Sequence, residues 1–172
     1  FGENLDSKTL DCDEILFDDE WQAVSLPNLP GRNKKIAMSG KQLKFPRGHF
    51  HENEKKAMAL HSFANHELLA TELMAGVLLK FPHNTPEMKR LKRGIIQSLK
   101  DEQKHFKLYV NRLNELGYEF GDFPLNDFFW RYMKKIQTPE QYLAIMAMTF
   151  ENANLDFAHF YKHVFSELGD YK

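Results

Sequence analysis

After residue 53 apolar residues recur at three- and four-residue steps, the spacing of helices that turn one face inward. Leu60, Phe63, Ala64, Ala70, Met74, Val77, Leu78 and Phe81 mark a first long helix, and chain breakers nearly vanish until Pro82. Thr85, Pro86 and Glu87 then supply an N-cap, a proline at the first helical position and an acid in the first turn. Met88, Leu91, Ile95, Leu99, Phe106, Tyr109, Leu113 and Leu116 carry this second helix to Gly117, a natural stop. Its predicted span is roughly 86 to 116.

Residues 117 to 124 read as loop, and Asn126 to Ile136 as a short aromatic helix covering one end of a bundle. Thr138, Pro139 and Glu140 repeat the helix start, after which Tyr142, Ile145, Met146, Thr149, Ala153, Phe157, Phe160 and Val164 predict a third long helix ending at Leu168 and Gly169. This helix is apolar on more than one face, which predicts packing between neighbours. No segment alternates as a strand with hairpin turns, so the expected architecture is all-α, helix on helix.

The first fifty-two residues have another texture. Eight acids in residues 1 to 20 stand against Lys8, with no sustained apolar period, and read as a solvated arm. Pro27, Pro30, Gly31, Gly40, Pro46 and Gly48 then forbid a long helix, in a stretch that also carries Arg32, Lys34, Lys35, Lys41, Lys44 and Arg47. The chain therefore divides into an extended charged arm, 1–52, and a helical bundle domain, 53–172. A strap lying across the bundle is the simpler reading of the arm, and an RNA-contacting segment the other.

Composition narrows the function. Lys plus Arg number 23 and Asp plus Glu 24, a net charge of −1, which argues against a mainly polyanion-binding protein. A lone cysteine, Cys12, permits neither an intrachain disulfide nor a thiolate zinc cluster and fits a reducing compartment, so a cytoplasmic location is expected. The longest apolar run, Leu68 to Leu79, contains Glu72 and falls well short of the roughly 20 residues of a membrane span. The opening at Phe1 instead of Met suggests a trimmed chain or one that begins inside a longer one.

Gaps in the apolar rows hold the chemistry. The row Leu60, Phe63, Glu67, Ala70, Met74, Val77 and Phe81 keeps its period only with Glu67 facing inward, and Leu91, Ile95, Leu99, Glu102, Phe106, Tyr109 and Leu113 treat Glu102 the same way. His105 follows Glu102 by one turn, about 300° round the axis, so the two project from nearly the same face. Glu151 lines up with Leu143, Ala147, Ala158 and Phe165 on the third helix. Ionised carboxylates in an apolar core cost several kcal/mol each unless protonated, paired or metal-bound. Lys and Arg are absent from these rows, and carboxylates plus an imidazole suit iron or manganese.

Over about residues 57 to 171 the chain resembles the ferritin-like superfamily, and in detail a bacterial branch whose domain is described as of unknown function. The resemblance lies in Leu60-His61-Ser62-Phe63-Ala64-Asn65-His66-Glu67-Leu68, Asp101-Glu102-Gln103-Lys104-His105-Phe106, Gly121-Asp122-Phe123-Pro124-Leu125-Asn126-Asp127, and Glu151 with Leu155-Asp156. Pro30-Gly31-Arg32 is similar to an element that precedes the bundle in that branch. The resemblance implies a ferritin-like four-helix bundle with a di-iron carboxylate centre. Glu67 would be the ligand of the first helix, Glu102 shared between metals, His105 terminal and Glu151 the ligand of the third. Iron is the implied cofactor, with manganese or zinc as substitutes.

Such centres take a second Glu-x-x-His from a fourth helix. Glu67 and Glu102 are 35 residues apart, and the same interval after Glu151 falls at about residue 186. With the sequence ending at Lys172, the fourth helix is expected to be truncated, disordered, cleaved or supplied by another chain, as in a homodimer.

The implied activity is that of an oxidase or oxygenase reducing O₂, on a small molecule or, because a tRNA hydroxylase shares this fold, on a modified RNA base. The alternative is a non-catalytic bundle that binds metal or mediates protein contacts. Among other candidates, His61 and His66 read as packing or supporting residues, Glu72, about 140° from Glu67, as serving elsewhere, and Asp156, His159 and His163 as a solvated face. Lys89, Arg90, Lys92 and Arg93 read the same way.

Overall fold

The computed structural model describes residues 2–11, 17, 21–22, 24–39 and 43–171, with the side chains of residues 147 and 150–154 outside that description. Cys12, Asp13, Glu14, Asp18, Asp19, Glu20 and Lys41 therefore also lie outside the described residues.

Two long helices organise the chain: α2, Asn53–Lys80, and α3, Pro86–Glu115, preceded by the single turn α1, Leu5–Lys8. They form a hairpin joined by a short connection, the expected partnership for consecutive helices. Local chemistry sets their ends. The Thr85 hydroxyl accepts from Met88 N–H at 3.2 Å, and Pro86 occupies the first turn of α3. At the other end Gly117, at φ +84°, lets Tyr118 N–H donate to Leu113 C=O at 3.2 Å and Gly117 N–H to Asn114 C=O at 2.9 Å, a Schellman stop.

The helix packed on all sides is α2, where Ala57, Ala64, Leu68, Leu69, Leu73 and Val77 are almost completely buried. Each large aliphatic side chain there contributes about 2 kcal/mol of burial. One core cluster joins Leu69, Leu73, Met74 and Val77 to Ile95 and Leu99 of α3 and to Phe129, Trp130, Met133 and Ile136. A second joins Ala57, Leu60, Ala64 and Leu68 to Phe106, Leu113, Phe120 and Leu125. The aromatic segment is thus shorter than expected, a 3₁₀ turn over Trp130–Lys134 laid against α2. The Trp130 indole N–H donates to Asn28 C=O at 2.8 Å, which places a proline-rich stretch of the arm beside it.

The arm is docked: the stretch around Arg32 lies against α2 as the strap reading expected, and Lys8 and Leu10, expected in a solvated segment, are docked as well. Arg32 reaches Glu72 in α2 with two parallel contacts, Nε to Oε1 at 3.0 Å and Nη2 to Oε2 at 2.8 Å. Lys8 Nζ adds a third cation contact at 2.7 Å, and all three side chains are at most 8% exposed. Arg32 Nη1 also donates to Asn65 Oδ1 at 3.2 Å, whose Nδ2 donates to Asn126 C=O at 3.3 Å. Gln103 of α3 donates to the carbonyls of Lys8 and Leu10. Glu72 is therefore neutralised from the arm, which the rows of the helices themselves do not reveal.

The third expected helix is broken in character. A turn of α-helix, α4, Pro139–Tyr142, passes into a π-helix, Leu143–Phe150, and then into α5, Glu151–Glu167. Thr149 Oγ1 donates to the Ala144 carbonyl five residues back at 2.8 Å, which matches the wider π turn. Among the described residues of this segment Tyr142 and Met146 are buried, whereas Leu143, Met148, Leu155, Phe157 and Phe160 are exposed, in contrast to the expected packing of more than one face between neighbours. It is held to the rest of the fold by Tyr142 and Met146 in the first core cluster, by Tyr161 against Phe45, Phe50 and Phe63, and through Asp170, which Arg112 contacts at 2.6 Å.

Lys92 also departs from expectation, being 5% exposed with Nζ 3.3 Å from His83 Nδ1. Burial lowers its pKa. Among the described residues no helix is long and apolar enough to cross a membrane.

Candidate metal centre

Glu67 is in the middle of α2, and Glu102 and His105 lie one turn apart on α3, so the hairpin itself brings them together. His105 Nδ1 is 3.6 Å from Glu67 Oε2 and 3.8 Å from Glu102 Oε2. One donor atom from each of the three residues lies within 4.8 Å of the others. Both carboxylate side chains are only 13% exposed, whereas the imidazole is 55% exposed. The cluster thus has a shielded acidic floor and a histidine at its solvent edge.

Glu151, the remaining residue of the expected set, opens α5, but its side chain lies outside the described residues. The periodicity that assigned it a face does not carry through Leu143–Phe150, because π turns rotate every later residue out of α-helical phase. Leu143, at the head of that row, is exposed.

Tyr109, one turn beyond His105, belongs to the surroundings of the cluster although its ring reads as core in the sequence. Burial, reinforced by the charges of Glu67 and Glu102, pushes its phenol pKa up to about 12. The group therefore stays protonated beside two acids. Its place three and four residues along the row from Phe106 and His105 is the signal that finds it. Phe63 packs 5.5 Å from Tyr109 and 5.3 Å from Tyr161, an aromatic wall next to the acids.

The neighbouring histidines play other parts. His66 packs against Phe129 at 4.2 Å, and burial lowers its pKa to about 4. His61 is fully buried, stacks on Phe120 at 5.0 Å and accepts the Gly121 N–H on Nε2 at 3.0 Å. Burial lowers its pKa to about 4, partly opposed by Asp122. It pins the loop after α3 to α2 as a neutral ring. Asp156, His159 and His163 are exposed on α5.

Two buried-side carboxylates and an imidazole form a hard-oxygen and borderline-nitrogen donor set, which suits a first-row divalent metal in preference to an alkaline-earth ion. Fold and cluster together define an all-α protein with a carboxylate–imidazole centre inside a helical hairpin. The chain belongs to the family described as "Protein of unknown function (DUF455)", whose model matches residues 4–172. No curated protein and no solved structure matches it.

Proposed function

We propose that this protein is a ferritin-like di-iron carboxylate oxidase or oxygenase, with Glu67, Glu102, His105 and Glu151 as the metal ligands this chain contributes. The observation that carries the reading is the convergence of Glu67, Glu102 and His105, with both carboxylates largely withdrawn from water. Two acids held this close repel each other, and a cation between them turns that cost into binding energy. Iron bound there supplies the redox chemistry needed to reduce O₂.

The residues around the centre fit such a task. The exposed edge of His105 gives small molecules an approach, while Phe63, Tyr109 and Tyr161 limit water on another side. Protonated Tyr109 offers a hydrogen-bond donor next to the carboxylates. The substrate class is a small molecule or a modified RNA base. The first is favoured, because Arg32 of the arm is buried against Glu72 and not held out for phosphate.

A non-catalytic binding role is the second reading, favoured by the exposed Met148, Leu155, Phe157 and Phe160. Anaerobic loading with ferrous iron, followed by iron analysis and O₂ consumption with reductant, separates the two. Repeated O₂ turnover that Glu102→Ala abolishes supports the enzyme. Retained iron without turnover supports a metal-binding protein, and failure to retain iron supports an interaction scaffold.

A further inference from the structure

We propose that His49, His51 and Glu52 form a second metal site, open to solvent, for a borderline divalent transition metal of the zinc type. His49 Nδ1 lies 3.6 Å and His51 Nε2 3.8 Å from Glu52 Oε1, and one donor atom from each of the three residues lies within 4.8 Å of the others. Tetrahedral ligands about 2.0 to 2.1 Å from zinc stand about 3.3 to 3.4 Å apart. Each histidine therefore needs to approach Glu52 by only a few tenths of an ångström, and the two imidazoles to turn toward each other within the 4.8 Å they already span, to hold an ion.

Residues spaced i, i+2 and i+3 do not share a face in a regular helix or strand. Here a turn gathers them. Glu52 N–H donates to His49 C=O at 3.0 Å, and His49 adopts the left-handed conformation, φ +62°. Phe50, between the two histidines, is buried and packs 6.0 Å from Tyr161 and 5.7 Å from Phe165. That anchor holds the turn while the imidazoles, 74% and 69% exposed, face water.

Glu52 is the N-cap residue of α2, yet its side chain makes no capping hydrogen bond, so its carboxylate is directed to the histidines instead. It also supplies the negative charge that a dication needs near the positive end of a helix. Two imidazoles disfavour magnesium and calcium, and three protein donors leave a coordination position for water or for a group from another molecule. Glu67 lies fifteen residues further along α2, about 22 Å away, so the two centres share no donor.

Zinc titration of the full chain by calorimetry tests the proposal. The wild type should bind one more equivalent of Zn²⁺ than the His49→Ala/His51→Ala variant, and Glu102→Ala should keep that equivalent. His51→Ala alone should weaken it by about tenfold or more. Ring resonances of His49 and His51 should shift on zinc addition, and Co²⁺ should give a visible absorption band that the double variant lacks. Equal zinc stoichiometry and affinity in wild type and double variant, with both folded by circular dichroism, overturns the site. Loss of iron binding in Glu102→Ala with the outer zinc retained would show the two centres failing or standing separately.

Discussion

Arg32 grips Glu72 from forty residues away, with both carboxylate oxygens engaged and neither side chain more than 5% exposed. The pair joins the arm to the middle of α2, and Lys8 shares the same carboxylate. Breaking one partner of a buried pair leaves an uncompensated charge.

Arg32→Ala should therefore destabilise the fold by about 3 kcal/mol, toward the lower end of such losses because Lys8 stays beside Glu72. Urea midpoints check this. Arg32→Met combined with Glu72→Met should recover much of the loss, since an apolar pair leaves no stranded charge. A double variant as unstable as the single one would show that packing by the arginine stem, not charge, dominates.

Gly121 sits at φ +107°, its N–H donated to His61, and a Cβ there would overlap the Lys35 carbonyl oxygen. Gly121→Ala should cost on the order of 3 kcal/mol from strain and overlap together. Gly117, at φ +84° with open space around it, should tolerate alanine at about 1 kcal/mol. Thermal melts of the two variants should rank in that order.

The buried neutral His61 makes stability depend on pH. Its pKa is about 4 in the fold against 6.5 ordinarily, so between those values the unfolded chain holds a proton that the fold does not. Stability from this group is present above pH 6.5 and is lost as pH falls toward 4, by about 3 kcal/mol in all. Asp122 moderates the loss. Urea midpoints of metal-free protein from pH 7 to pH 4 should fall less steeply in His61→Asn than in the wild type.

Glu67→Gln and Glu102→Gln keep side-chain shape while removing the charge that draws a cation. Each should lower iron content at least tenfold, by analogy with the loss of a metal's anchoring contacts, and leave the helical circular dichroism unchanged. Iron content equal to wild type in both variants would remove the pair from the centre.

The hairpin and its acids are legible in the sequence because an α-helix is a rigid ruler. Thr85 with Pro86 and the stop at Gly117 are local signals, and the structure has α3 ending within a residue of the expected boundary. Once the period is known, Glu67, Glu102 and His105 fall on facing rows. The ruler fails in Leu143–Phe150, where i→i+5 bonding changes the period and removes the basis for orienting Glu151. The Arg32–Glu72 pair was legible only by half: an acid within the apolar run Leu68 to Leu79 demands a partner, but nothing local says that it comes from the arm.

The strap described above also fixes an order of events during synthesis. Lys8, Asn28 and Arg32 are made early, yet the groups that receive them, Gln103, Trp130 and Glu72, follow 95, 102 and 40 residues later. A nascent chain must therefore carry its first segments unplaced while α2, whose core face and buried Glu72 need that cover, waits without it. Long-range closure of this kind slows folding. The interval before the clasp shuts is when newly made molecules are most exposed to sticking to one another.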